Sequence, residues 1–301
     1  MKMECRTRWC ALLLWLAAAA VQASGGVADI REQVEASMLV TGRVTITLEG
    51  TVGDWTIDRR EKLPPAVAKV VDAAAPGWRF EPIVVDGKPA HGSARMSLLI
   101  VAERVGEGRF RASIRDGYFG REAANRLGER RAGKTEVPDP EQLTSVWMRP
   151  PLYPQRALLA GISGTVYLAL RVGRGGEVEE AAVEQVNLRA VGTEREMAFA
   201  RDILAGAALA ASRKWQFRPP TLGKSASDAS WTVRVPVDYS INGDRQAAYG
   251  QWETYVAGPR TPVPWELESP EALAVAPETL VAGELHQSGM ALKLLGPLEG
   301  G

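Results

Sequence analysis

Cysteine is almost missing from this chain. Its two copies, Cys5 and Cys10, both fall in the first ten residues, inside a stretch that reads as an export signal, so the remainder has no disulfide, no thiol nucleophile and no Cys metal site. Histidine is nearly as scarce. His91 and His286 stand alone in loops rich in Gly, Ser and Gln, with no companion at metal-ligand spacing, and both read as surface residues; no metal and no cofactor is expected. An excess of either charge is also absent, with 36 basic against 36 acidic residues, which leaves no electrostatic footprint for nucleic acid. A nucleophile elbow of the form Gly-x-Ser-x-Gly is missing, since "GISGT" lacks it, and "GRGGEV" does not have the order of a phosphate-binding loop. No catalytic residue is assigned, no small-molecule substrate is expected, and an enzyme is not.

Long apolar runs are lacking too. The longest, Ala11 to Val21, is too short to cross a bilayer core of about 30 Å as a helix. It follows Lys2, Arg6 and Arg8 and leads to Val21-Gln22-Ala23, the pattern of a secretory signal peptide over residues 1–23, cleaved after Ala23. The remainder is then exported, with a small acidic excess. A retained signal is the alternative, and it would anchor the chain in the inner membrane.

What is present is a signature used twice, Trp78-Arg79-Phe80-Glu81-Pro82 and Trp215-Gln216-Phe217-Arg218-Pro219, each just after an Ala-rich stretch. Around the second copy, Val166, Leu168, Leu170 and Val172 alternate with Thr165, Tyr167, Ala169 and Arg171, the period of a half-buried strand. Gly173, Gly175 and Gly176 are expected to supply positive φ for a hairpin into a second strand over 177–186. Residues 197–214 predict a helix, with Phe199, Ile203 and Ala207 on one stripe and Leu204, Ala208 and Ala211 on the next. Trp215 and Phe217 follow as core residues, and Trp231, Val233, Val235, Val237, Tyr239 and Ile241 alternate along a closing strand. The unit is β-β-α-β. A shortened version precedes it: a strand at Val44, Ile46 and Leu48, a helix with Val67, Val70, Val71 and Ala74 at helical spacing, and a closing strand over 95–102. The spacing from Trp78 to Arg95 equals that from Trp215 to Thr232, which points to duplication.

The second unit resembles the C-terminal domain of the TonB family. The resemblance rests on Tyr153-Pro154, Ala157, Gly161, Gly164, Val166, Val172, Gly176, Val178, Ala207, Ala208, Trp215, Phe217, Pro219 and Val235-Pro236-Val237 in that order, and it covers residues 150–242. Residues 37–105 match more weakly, through Gly42, Val44, the first Trp-x-Phe-x-Pro and the turn Val85–Pro89. The resemblance implies an α+β fold of two small β-β-α-β modules, each an antiparallel sheet packed on helix, in the periplasm. It also implies that the closing strand takes up a short extended segment, the TonB box, from outer-membrane transporters. Family members that transduce energy carry an inner-membrane helix and a Pro-rich spacer; here residues 106–149, read as a linker, contain only Pro138 and Pro140.

The closing strand itself makes a specific forecast. Pro236 lacks an N–H, so its missing donor should face an unpaired edge, and with period two Arg234 and Asp238 should then present theirs to that same edge. The expected partner-binding residues are therefore Thr232, Arg234, Pro236, Asp238 and Ser240, together with Tyr153, Pro154, Gln155 and Arg156 from the turn entering the sheet. The expected partners are TonB-dependent outer-membrane transporters. The alternative is an envelope adaptor or homodimer built through the same strand. Residues 243–301 form a Pro-rich extension containing Tyr249, Trp252, Tyr255 and Trp265; it either packs back on the second module or serves as a polyproline-type recognition segment.

Overall fold

The computed structural model describes residues 30–31, 33–85, 87–121, 127, 139–241, 247–267 and 275–299. The signal peptide expected at 1–23 lies outside the described residues, as does most of the charged stretch 121–134. Among the described residues no helix is long and apolar enough to cross a membrane.

The first half contains β1 (Val34–Ile46), β2 (Val52–Ile57), helix α1 (Pro65–Ala74), the short β3 (Val84–Val85) and β4 (Lys88–Pro89), then β5 (Gly92–Gly106) and β6 (Arg109–Gly120). The second half contains β7 (Thr144–Trp147), α2 (Gln155–Leu159), β8 (Gly164–Gly173), β9 (Val178–Leu188), α3 (Glu194–Ser212), β10 (Gln216–Arg218) and β11 (Ser230–Tyr239). Two further strands, β12 (Glu253–Val256) and β13 (His286–Gln287), come from the C-terminal extension. The architecture is the α+β one expected.

The long strands of the two halves do not form a sheet each. Among the described residues they run β13-β11-β8-β9-β12-β1-β5-β6 in one nine-stranded sheet, with β2 pairing on β1, while β10 pairs with β7 and β3 with β4 in two small two-stranded sheets. β12 joins the halves, pairing with β1 over four residues and with β9 through Val256 and Leu188. The two ends of the order approach each other, since Tyr118 in β6 meets His286 in β13 edge-on at 5.4 Å and Leu292 N–H donates to Phe119 O at 2.6 Å. The sheet therefore curls back towards itself, with the C-terminal extension at the seam.

Two apolar clusters lie between sheet and helices. One joins β1, β5 and α1 through Val40, Val44, Val67, Val71, Met96 and Leu98 around Trp78 and Phe80. The other joins β8, β11 and α3 through Leu168, Leu170, Leu204, Ala208, Val233 and Val235 around Trp215 and Phe217. Both tryptophans are almost fully buried, as expected, and each satisfies its indole N–H on a carbonyl at 2.8 Å, Trp78 on Leu298 and Trp215 on Arg149. Each Phe of the signature is also held by a hairpin glycine in the left-handed region. Phe80 N–H donates to Gly50 O at 2.7 Å and Phe217 N–H to Gly176 O at 2.8 Å, where φ is 80° and 83°.

Five expectations need correction. Residues 109–120, placed in a linker, form β6, which pairs with β5 along its length; Phe110, Ala112 and Ile114 alternate there with Arg109, Arg111, Ser113 and Arg115, a strand period that the linker reading passed over, and a bulge between Ile114 and Asp116 then shifts the phase. Of the three hairpin glycines only Gly176 has positive φ. Helix α3 buries Met197, Ala200, Leu204 and Ala208 and turns Phe199 outward, half exposed. It also starts earlier than expected, at a capping box between Thr193 and Glu196. His286 is buried in β13, not in a surface loop, whereas His91 is exposed.

A Cβ at Gly176 would stand 2.0 Å from Phe217 O. Gly176→Ala is therefore expected to destabilise the chain by about 1–3 kcal/mol. Gly206→Ala, on the exposed side of α3 with nothing within 4 Å of the added methyl, should stabilise it by about 0.5–1 kcal/mol. Urea midpoints of the two variants against the parent check both signs.

Candidate strand-addition site

β11 pairs along its whole length with β8, from Ser230 opposite Gly173 to Tyr239 opposite Gly164. Its apolar row, Trp231, Val233, Val235, Val237 and Tyr239, enters the second core. On its other side Thr232 O accepts from Ser288 N–H at 2.9 Å and Pro236 O accepts from Gly283 N–H at 2.7 Å. The even-numbered residues thus point their backbone groups away from β8, so Arg234 and Asp238 share their orientation. The missing donor of Pro236 faces the outer edge, as the sequence requires.

That edge is not open along Thr232–Pro236, where the sequence led us to expect a free one. β13 lies antiparallel on it, with Val233 opposite Gln287 and Arg234 opposite His286. The strand that occupies it belongs to the C-terminal extension of the same chain.

The side chains on the outer row are engaged as well. Arg234 is buried and forms ion pairs to Glu184 at 2.7 Å and Glu266 at 2.6 Å, both also buried, and its guanidinium donates to Ser288 Oγ. Burial lowers the tendency of such a guanidinium to stay charged, but the two carboxylates outweigh it and its pKa rises. Burying these three charges costs solvation that their attraction only partly repays, so the cluster fixes geometry more than it adds stability. Asp238 pairs with Arg189, which also reaches Glu253 and Tyr239 O. Thr232 Oγ1 accepts from the Trp265 indole at 3.0 Å. Ser240 is exposed beyond the end of β11.

Of the residues expected at the sheet entrance, Tyr153 packs edge-on against Tyr239 at 5.5 Å and donates to Ile162 O. Pro154 caps α2 at its start, and Gln155 and Arg156 are exposed on its first turn. The structure thus gathers Tyr153 at the Tyr239–Ser240 end of β11 and places Arg234 and Thr232 at the end under the extension. Residues the sequence reading missed are Gly283, Leu285, His286, Gln287 and Ser288. Two paired residues have no periodicity to detect, and the only local signal was the pair of glycines that bracket them.

Among the described residues no group of His, Cys, Asp and Glu is arranged to hold a metal ion. No family model matches the chain. It is 35% identical over 100 residues to Protein TonB of Xanthomonas campestris pv. campestris strain B100, and equally to Protein TonB of strain ATCC 33913 of the same pathovar; each match takes in 33% of this chain and 39% of the relative. The chain carries a TonB-like domain. It spans well under half the length of the curated relatives it matches.

His286 makes the closed edge sensitive to acid. Its ring faces Tyr118 of β6 and Val281 O, and lies beside Arg234 of β11; burial pulls its pKa from 6.5 down to about 4. A released tail binds a proton that the seated tail refuses, so the seated state is fully favoured above pH 6.5 and loses about 3 kcal/mol as pH falls towards 4. Limited proteolysis after Leu285–Ser288 should therefore accelerate steeply between pH 6.5 and 4 in the parent chain, with a much flatter profile in His286→Gln.

Proposed function

We propose that this is an envelope protein with a TonB-like role in transport, which binds extended segments of the TonB-box type from outer-membrane transporters by adding them as a strand to the outer edge of β11. The observation that carries this reading is the outer row of β11. Its carbonyls at Thr232 and Pro236 already accept hydrogen bonds from an extended segment, so the edge is built to take a strand. Tyr153, Pro154, Gln155, Arg156, Thr232, Arg234, Pro236, Asp238 and Ser240 are the proposed contact residues, with specificity at the Tyr153 end and backbone pairing along the rest. Export through a cleaved signal at 1–23 and residence in the periplasm belong to the same proposal, with inner-membrane anchoring if the signal stays.

The proposal includes two modules, 37–105 and 150–242, descended from one. Several correspondences support it. In each half the first strand lies between its hairpin partner and the closing strand, β2-β1-β5 and β9-β8-β11. A Cβ at Gly42 would meet Thr56 O at 2.1 Å and one at Gly164 would meet Asn187 O at 2.2 Å, the same close approach on the same strand. In the first module β6 covers the edge of β5 that corresponds to the outer edge of β11, so capture is assigned to the second module alone.

A second reading, a homodimer or envelope adaptor, is favoured by the origin of the strand on β11: a tail that fits this edge within one chain would also fit it in a second copy. Isotope-labelled protein titrated with segments from the transporters of the same organism is expected to show saturable shifts centred on Thr232–Ser240 and Tyr153. Shifts absent at millimolar peptide, with a mass that doubles on concentration, would replace capture by self-association.

A further inference from the structure

The row of backbone groups along one side of a strand can serve one neighbour at a time. On β11 that neighbour is Gly283–Ser288, and how it sits shows how it could leave and what could replace it. The segment is bracketed by Gly283 and Gly289, both in the left-handed region at φ 78° and 76°. Leu285 enters the second core and is 4% exposed. Gln287 Oε1 accepts from Leu143 N–H at 2.8 Å, while His286 points to the opposite face, against Tyr118. Continued register would bring Glu284 opposite Pro236, yet the donor to Pro236 O is Gly283, so the ladder slips where Pro236 has no N–H to return. Beyond it the extension walls a cavity of about 750 Å³ that also touches Asp116, Tyr118, Arg234 and Glu266. The segment is therefore fixed by its edge bonds and by the side chains of Leu285, His286, Gln287 and Ser288, with open space on one side.

We propose that Gly283–Ser288 is a built-in competitor for the outer edge of β11, a proposal that rests on reading that edge as the seat of a partner strand. A partner adds only where the tail has left. The tail also states what the partner brings: an extended antiparallel segment with an aliphatic residue in the place of Leu285, a side-chain hydrogen-bond acceptor in the place of Gln287, and no need of a donor from Pro236. The apparent dissociation constant for such a segment is its intrinsic value divided by the fraction of molecules whose tail is out, so freeing the tail tightens binding without touching the seat.

The test uses the full chain with Cys5 and Cys10 replaced by serine and with Val233→Cys and Gln287→Cys. These two positions face each other in a non-hydrogen-bonded pair, where Cα atoms about 4.5 Å apart suit a disulfide. The probe is a fluorescent peptide with the sequence of residues 281–290, read by anisotropy. The reduced chain is expected to bind it and the oxidised chain to bind it at least about tenfold more weakly, reversibly on adding reductant; equal affinity in the two states would overturn the proposal. Gly283→Pro, which removes the donor to Pro236 and cannot hold positive φ, should bind the probe at least about tenfold more tightly than the parent, and a peptide with Leu285→Asp should bind neither. Parent-like affinity in Gly283→Pro would again overturn it. Transporter segments that fail to bind where the 281–290 peptide succeeds would remove the transport reading and leave the competitor standing.

Discussion

Pro236 has no N–H to give, and the arrangement around β11 depends on which way that gap faces. Turned towards β8, it would break the ladder that holds the second core together; turned outward, it leaves ten residues of uninterrupted pairing between β11 and β8. The outward setting fixes the phase of the strand. Trp231, Val233, Val235, Val237 and Tyr239 must then fall on the core face, and Thr232, Arg234 and Asp238 must direct their backbone groups to the edge. The core, the charged cluster on Arg234 and the seat for another strand all follow from one missing hydrogen.

An exposed edge of this kind is a hazard as well as a resource, because any extended chain can pair with it. This chain covers both of its equivalent edges from within. β5 is covered by β6 in a long hairpin, which is permanent in the sense that its turn is short and its pairing extensive. β11 is covered by a few residues of the extension with a glycine at either end. The contrast in length and anchoring is the physical basis for assigning capture to one edge and not to the other.

Much of the second module was legible in the sequence because its local and tertiary demands agree. The alternation along β8 and β11, the helix former run in α3 and the aromatic pair Trp215 and Phe217 each describe what the fold does with them. The direction of Pro236 was legible for a stronger reason, since it is stereochemistry and not statistics. β6 was read as linker although Phe110, Ala112 and Ile114 alternate with Arg109, Arg111, Ser113 and Arg115, because that period is short and a bulge between Ile114 and Asp116 breaks its phase. Phe199 misled for the opposite reason: an Ala-rich helix is apolar on several stripes, and which one is buried is decided by the sheet beneath it. β13 was invisible because two paired residues carry no period, and His286 with them, since a polar residue among Gly, Ser and Gln gives no sign that a ring from another strand will cover it.

The claim on which the account stands is that in the resting chain the outer edge of β11 is occupied by the chain's own tail. Native-state hydrogen exchange of the Arg234 amide at neutral pH tests it most directly, because that N–H faces the tail and the amides of Val233 and Val235 face β8. The account predicts slow exchange at Arg234, faster than at Val233 and Val235, with a protection factor, taken against the intrinsic rate at each pH, that falls as the pH is lowered. Exchange at Arg234 at the rate of an open strand edge, with Val233 and Val235 still protected, would contradict it.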